Sequence, residues 1–291
     1  MTIWVDLMGA QVRYYGKKYR TRVIEAGEGE PLILIHGVGG HAEAYSRNIV
    51  RLGQHFRAMA MDLVWHGFSA KPPYNDKSVD TYCEQVLDLA DSLGLNKVNI
   101  EGESLGGWVA MWFALHHPER LNKLILNTTA GIRFSAGSVQ ERPETGVNLL
   151  RERSLAAINN PNRETIKKRL EWLMAKPDRV TEELTDVRYK IYTEPETRRA
   201  LTDVFSNSFG GGDSGRYYLS EEQVKQIRVP TLVLWSDYNP GHGPDAGERV
   251  AKLIPGAQYV CIKDAAHWPQ WEQPEAHDRA VIAFLTKGRI D

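Results

Sequence analysis

Lys97 to His117 reads K-V-N-I-E-G-E-S-L-G-G-W-V-A-M-W-F-A-L-H-H, and the fold turns on this stretch. Val98 to Ile100 is a short β-type run. Gly102-Glu103-Ser104-Leu105-Gly106 follows, and a helical pattern then runs from Gly107 to His117. Strand, G-x-S-x-G and helix in that order is the setting of a nucleophile elbow. The turn is so tight that the serine backbone is strained, and the flanking glycines let strand and helix approach closely. The Ser104 hydroxyl is thereby lifted above the sheet edge. The Leu105 amide, first in the new helix, points at the same space and can serve an oxyanion.

Working outward, Leu32-Ile33-Leu34-Ile35 behind Pro31 is a continuous apolar run, suited to a strand buried on both faces. It ends in His36-Gly37-Val38-Gly39-Gly40, and a helix is expected from Ala42 to Leu52. Val12–Tyr15 and Tyr19–Glu25 read as an antiparallel hairpin turning at Gly16-Lys17. Further strands are expected at Phe56–Met61, Leu124–Leu126, Thr231–Trp235 and Gln258–Ile262. Helices are expected at Val79–Leu93, Asp245–Leu253 (Asp245 as its N-terminal cap) and Pro274–Thr286. Alternation of this kind implies a doubly wound, mostly parallel α/β sheet with right-handed crossovers. The rhythm breaks between about 133 and 219, where helical patterns such as Glu164–Met174 and Glu182–Tyr192 dominate and Ser206–Gly215 is loop-like. The expected organisation is therefore a core of 1–132 and 220–291 with a helical cap of 133–219 inserted between two strands. A cap there lies over the carboxyl ends of the strands, where such sheets bind ligands and where its motion can gate access.

The chain has 291 residues, 42% hydrophobic and 25% charged, ordinary values for a globular protein with one large core. A net charge of −1 gives no footing for nucleic acid or an anionic membrane as partner. Two distant cysteines, Cys83 and Cys261, argue against a disulfide framework and for a cytoplasmic setting. The start, M-T-I-W-V-D-L-M-G, lacks the basic and apolar regions of a secretory signal, and no apolar run approaches a membrane span. No zinc-type Cys or His spacing is present, so neither metal nor cofactor is expected. Gly210-Gly211-Gly212 lacks the lysine and helix of a phosphate loop and reads as a linker between cap and core.

A serine nucleophile needs a base, and the base needs an orienting group. His267, in Lys263-Asp264-Ala265-Ala266-His267-Trp268, follows the last apolar strand and is the candidate base. His36 and His41 flank the glycine loop and shape it. His55, His116, His117 and His277 lie at the wrong end of a strand or within helices. An amide of the Gly37 loop, Val38 or Gly39, can join that of Leu105 in an oxyanion hole, each donor worth roughly 3 kcal/mol. In Trp235-Ser236-Asp237-Tyr238-Asn239-Pro240, Asp237 is the carboxylate of the first turn and the candidate acid.

With Ser104, His267 and the H-G-x-G-G loop in place, the whole chain resembles the α/β-hydrolase superfamily, which implies an eight-stranded sheet. The segment from Gly256-Ala257-Gln258 to His267-Trp268-Pro269-Gln270-Trp271-Glu272 resembles the meta-cleavage product hydrolases, which break a C–C bond in ring-opened catechols. That resemblance implies a pocket role for Trp268 and a substrate-handling role for a cap arginine, placed at Arg188, whose fork suits a carboxylate or carbonyl. Members commonly form homodimers, although the sequence offers no assignable apolar stripe. Three departures stand out. The family has Asn immediately before the serine, where this chain has Glu103, a carboxylate that repels an acidic substrate unless turned away or paired. Its oxyanion loop carries G-P-G, where this chain has Gly37-Val38-Gly39-Gly40. Ungapped alignment on Trp235 places Asn239, not Asp237, at the family's acid position.

Three activities are consistent with the sequence. The foremost is a C–C hydrolase of 2-hydroxy-6-oxo-dienoates. The second is a carboxylesterase for small or aromatic monoesters such as monoalkyl phthalates. The third is a non-catalytic ligand-binding relative, disfavoured by the intact Ser104 and His267. Dehalogenase and epoxide hydrolase chemistry require a carboxylate nucleophile where Ser104 stands.

Overall fold

A computed structural model describes residues 2–207 and 212–290. The expected loop at Ser206–Gly215 falls partly outside that range, as do Gly210 and Gly211 of the expected linker; Ser206 and Asn207 instead continue a helix. The sheet has eight strands: β1 (Gln11–Tyr15), β2 (Thr21–Ala26), β3 (Pro31–Ile35), β4 (Arg57–Met61), β5 (Val98–Glu103), β6 (Leu121–Asn127), β7 (Thr231–Ser236) and β8 (Gln258–Ile262), in spatial order β1-β2-β4-β3-β5-β6-β7-β8. β2 pairs antiparallel with both its neighbours, and every other pairing is parallel. The order reverses around β3 and β5, which are adjacent and parallel. The loops after these two strands therefore open side by side at the carboxyl edge, the crevice that such a switch point creates.

The core helices are α1 (Ser46–Leu52), α2 (Ser78–Ser92) and α3 (Leu105–His116) before the insertion. Between β6 and β7 come α4 (Val147–Asn159), α5 (Arg163–Glu171), α6 (Glu182–Thr193) and α7 (Pro195–Asn207). After β7 come α8 (Pro244–Leu253) and α9 (Pro274–Lys287). Gly243, not Asp245, is the N-terminal cap of α8; the Asp245 carboxylate turns away and accepts from the Gln140 amide at 2.6 Å. The helical block is tied at its base by a short parallel pair, Ile132–Arg133 with Leu219–Ser220. It is also tied across the strand-end loops: Tyr192 Oη donates to Gly39 O (3.0 Å), and the His267 and Trp268 amides both donate to Leu173 O (2.9 and 3.2 Å). Among the described residues no helix is long and apolar enough to cross a membrane.

Candidate active site

The elbow is built as its spacing requires. Ser104 has φ +54° and ψ −112°, a conformation that a non-glycine residue adopts only when its surroundings enforce it. Those surroundings leave no room for side chains. A Cβ at Gly102 would lie 2.2 Å from Gly106 backbone, and one at Gly106 would lie 2.2 Å from Ile35 O. Ser104 N donates to Asn127 O at 3.0 Å, which pins the turn to β6. α3 then runs through the core with Leu105, Trp108, Val109 and Met111 buried.

The His267 loop is held by several independent contacts. Thr128 Oγ1 donates to His267 O at 2.9 Å, and Ser236 Oγ donates to Ala266 O. Glu272 accepts from the Ala266 amide at 2.6 Å and from the Ala175 amide at 2.9 Å. Trp172 packs edge-on against the imidazole, with centroids 5.0 Å apart. Burial, reinforced by the Arg169 charge, pushes the imidazole down to about 3, so at neutral pH it is an uncharged base.

The orienting group differs from the expected one. His267 Nδ1 lies 2.7 Å from Asn239 Oδ1. The Asn239 amide has one reading, because its Nδ2 donates to Pro240 O (3.1 Å) and His242 O (2.8 Å). Oδ1 therefore accepts, Nδ1 carries the proton, and Nε2 is left as the basic nitrogen. Asp237 does not orient the imidazole. Its carboxylate is turned back to accept from the Asp264 amide (3.1 Å) and the Ala265 amide (3.2 Å), where it braces the loop that carries His267. Asp264 has φ +53°, so this brace holds a strained residue.

Glu103 is fully buried. Oε2 accepts from the Gly37 amide at 2.6 Å, and Oε1 lies 3.2 Å from His267 Nε2 but off the alignment of a hydrogen bond. Burial pushes its carboxyl up to about 8, against the Gly37 amide and the charges of Arg169 and Arg188. At neutral pH the uncharged form predominates, and in the ionised form the facing Arg169 and Arg188 charges offset the repulsion of an acidic substrate that a carboxylate here implied.

The glycine loop is fixed by His36. His36 Nε2 accepts from the Leu63 amide (3.1 Å), so Nδ1 donates to Gly37 O (2.7 Å). The Gly37 amide is engaged by Glu103, and Gly39 faces Tyr192, whose hydroxyl a Cβ there would meet at 2.5 Å. Val38 borders the same chamber as Ser104, as do Gly37 and Gly40, whereas Gly39 does not.

Two spaces meet at Ser104 and His267. One is a cavity of about 380 Å³, bordered by Phe134, Leu150, Trp172 and Tyr218 and reaching the surface at Glu141 and Asn148. The other is a small chamber lined by Gly37, Val38, Glu103, Arg169, Arg188 and Trp268. Arg188 is buried, stacks 5.3 Å over the Trp268 ring and places Nε 3.5 Å from His41 Nε2. Arg169 is buried too; Nε donates to Ser154 Oγ (2.7 Å) and Nη2 to Val38 O (3.4 Å). Arg188 Nη1 and Nη2 and Arg169 Nη1 meet no well-aligned acceptor among the described residues. Burial pushes both guanidinium pKa values down, Arg169 to about 10, and a guanidinium in a protein keeps its charge. Unsatisfied buried cations invite an anion.

Sequence reasoning missed Arg169. It lies in a helix dense with exposed charge, next to Lys168, which pairs with Glu164. The available signal was its helical spacing from Ile166 and Leu170, which share its buried face. Among the described residues no cluster could hold a metal ion.

Comparison with known proteins extends these observations. A family model described as alpha/beta hydrolase fold matches residues 30–274. The chain is 28% identical over 271 residues to the 2-hydroxy-6-oxo-6-(2'-aminophenyl)hexa-2,4-dienoic acid hydrolase of Metapseudomonas resinovorans, covering 92% of this chain and 88% of that one. It is 29% identical over 281 residues to the 2-hydroxy-6-oxononadienedioate/2-hydroxy-6-oxononatrienedioate hydrolase of Comamonas testosteroni, covering 93% and 92%. Among solved structures, the meta-cleavage product hydrolase of Pseudomonas fluorescens IP01 superposes with a TM-score of 0.80 at 25% identity, covering 97% and 100%.

Proposed function

Because the chain belongs to the alpha/beta hydrolase fold family, we propose that it hydrolyses a C–C bond in 2-hydroxy-6-oxo-dienoates from aromatic ring fission, with Ser104 as nucleophile, His267 as base and Asn239 as its orienting partner. The observation that carries this reading is the junction itself. Ser104 and His267 stand between a larger, mostly apolar cavity that also borders Arg142 and a small chamber where two buried guanidinium groups keep N–H donors without an acceptor among the described residues. The chamber, at about 10 Å³, has room for little more than one water-sized group, so a substrate lying in the larger cavity can direct only a carboxylate or carbonyl oxygen towards the guanidinium groups. The names of the relatives point the same way.

The chemistry follows from the geometry. An unstabilised alkenyl carbanion cannot leave the tetrahedral carbon, so the dienol must first ketonise, moving its hydroxyl proton to the carbon beside the distal carbonyl. The bond to be broken then lies vinylogous to a keto acid. Ser104 Oγ adds to the distal carbonyl, its proton passes to His267 Nε2, and the oxyanion meets the amides of Leu105 and Val38. Cleavage of the C–C bond sends its electrons to the keto oxygen; Arg188 and Arg169 stabilise the resulting dienolate, which then takes the proton held on His267 Nε2 and leaves the imidazole free to act as base again. Water delivered through His267 then releases the acyl group from Ser104. The helical block 133–219 serves as the cap that supplies both arginines. The free thiols of Cys83 and Cys261 suit a reducing cytoplasm. A homodimer is the assembly we favour, supported by Trp4, Met8 and Val12, which are apolar and exposed.

The test is direct. Purified protein bleaches the coloured dienolate of a phenyl- or alkyl-substituted substrate with stoichiometric release of carboxylic acid, and Ser104→Ala does not. A chromophore left intact while aromatic monoesters are cleaved would overturn this reading in favour of an esterase.

A further inference from the structure

We propose that Glu103 is a positioning residue for His267, supplying beside Nε2 the negative charge that Asn239 cannot supply beside Nδ1. The proposal rests on the reading of Ser104 as nucleophile and His267 as base, and it concerns how that base is made strong enough to work.

Asn239 fixes the tautomer and the ring plane of His267 with a 2.7 Å hydrogen bond, yet a carboxamide has no charge with which to stabilise an imidazolium. The surroundings oppose imidazolium strongly: the ring is buried and the Arg169 guanidinium lies nearby. Among the described residues Glu103 is the carboxylate paired with the imidazole, at 3.2 Å from Nε2. Its poor alignment matters here. Oε1 is close enough for its charge to be felt, but it leaves the Nε2 lone pair available to the Ser104 hydroxyl. Glu103 is itself anchored, by the 2.6 Å bond from the Gly37 amide to Oε2. The elbow places it one residue before the nucleophile, so the same turn that presents the serine aims the carboxylate across it.

The proton inventory balances with Glu103 ionised. Ser104 Oγ bonds to the electrophile and its proton moves to Nε2. The imidazolium so formed is neutralised by the Glu103 carboxylate, and Nε2 later returns the proton to the leaving group. With Glu103 protonated the imidazolium has no counter-charge. The active form is thus the ionised one, and activity falls as the pH drops through the Glu103 pKa, which burial sets at about 8. The groups that face this carboxyl are His267 and Trp268 from the loop after β8, Arg169 from α5, Arg188 from α6 and Tyr45 from the 3-10 turn before α1. On its own strand Glu101 is engaged by His277 at 2.7 Å, deeper in the core. The two arginines favour the ionised form and burial opposes it.

The experiment reads Ser104 activation without any dienoate. A fluorophosphonate forms a P–O bond to Ser104 and expels fluoride, with the serine proton passing to Nε2. Labelling rates are measured from pH 5.5 to 9.5 for wild type, Glu103→Gln, Asn239→Asp and the double variant. The wild-type rate is expected to rise through a limb near pH 8. Glu103→Gln loses about a hundredfold or more and loses that limb. Adding Asn239→Asp restores most of the rate, with the limb moved towards acid, because the charge is now supplied beside Nδ1. A Glu103→Gln protein that labels at the wild-type rate with the same limb, or a double variant no faster than Glu103→Gln, overturns the proposal. If Glu103→Gln does not fold, Asn239→Asp alone decides. A rate at pH 6 about tenfold above wild type supports the proposal, and an unchanged profile overturns it. Failure to cleave dienoates with this labelling pattern intact would sink the substrate assignment and leave the role of Glu103 standing.

Discussion

Asp237→Asn separates two roles that the sequence leaves superimposed. A carboxylate that orients and neutralises a catalytic imidazole costs about 10⁴ in turnover when changed to its amide. A carboxylate that braces a loop costs stability instead. Asp237 accepts from two backbone amides, Asp264 N at 3.1 Å and Ala265 N at 3.2 Å. Each charge-assisted bond of this kind is worth about 1.5–3 kcal/mol. An asparagine keeps one acceptor oxygen but turns its NH2 towards the other amide, so about one such bond is lost. The expected cost is therefore about 1–3 kcal/mol of folding stability. His267 keeps its 2.7 Å bond to Asn239, so turnover well below the unfolding transition should stay within about tenfold of wild type. Guanidinium unfolding monitored by tryptophan fluorescence gives the first quantity and single-turnover kinetics the second. A variant of undiminished stability whose turnover falls by about a thousandfold would refute the assignment and return Asp237 to the catalytic machinery.

Other perturbations test other parts of the site. At about pH 9.5, above the limb assigned to Glu103, Arg188→Met is expected to raise KM for a carboxylate-bearing substrate by about tenfold to a hundredfold while leaving neutral p-nitrophenyl ester cleavage nearly unchanged; equal losses on both substrates there would contradict a carboxylate-binding role. Gly102→Ala places a Cβ 2.2 Å from Gly106 backbone, and because backbone cannot move aside, the melting midpoint should fall by a margin that reflects about 3 kcal/mol or more; a wild-type melting curve would count against the elbow geometry. His277 lies between Glu101 (2.7 Å) and Asp278 (2.9 Å); burial lowers its pKa, but the two carboxylates outweigh burial and raise it to about 10. Its folded pKa exceeds the unfolded value, so its contribution is full below about pH 6.5 and is lost as the pH rises towards 10. Wild type should therefore lose its stability advantage over His277→Gln, of the order of a few kcal/mol, between pH 7 and pH 10, and a gap that does not narrow refutes the reading.

What the sequence disclosed and what it withheld divide along a physical line. The elbow was legible because its requirements are local: a turn this tight admits only small neighbours at Gly102 and Gly106, and the residues say so directly. The position of His267, in the loop after the last strand and beside Ser104 at both cavities, was legible as well. The choice between Asp237 and Asn239 was not, since both follow β7 within three residues and the outcome rests on the local backbone. There the Asp264 and Ala265 amides draw Asp237 away, and the Pro240 and His242 carbonyls turn the Asn239 amide to the imidazole. Arg169 was hidden for a different reason: an arginine in a charge-rich helix reads as solvated until another element covers it. The protonation state of Glu103 likewise depends on burial, a tertiary property that one residue's identity does not carry.

The hydrogen bonds from the His267 and Trp268 amides to Leu173 O bear on how molecules get in and out. A cap that swung clear of the core would pull on the very loop that holds the base, and would dismantle the site each time it opened. The mouth of the large cavity at Glu141 and Asn148 offers a way in and out that leaves those two bonds intact.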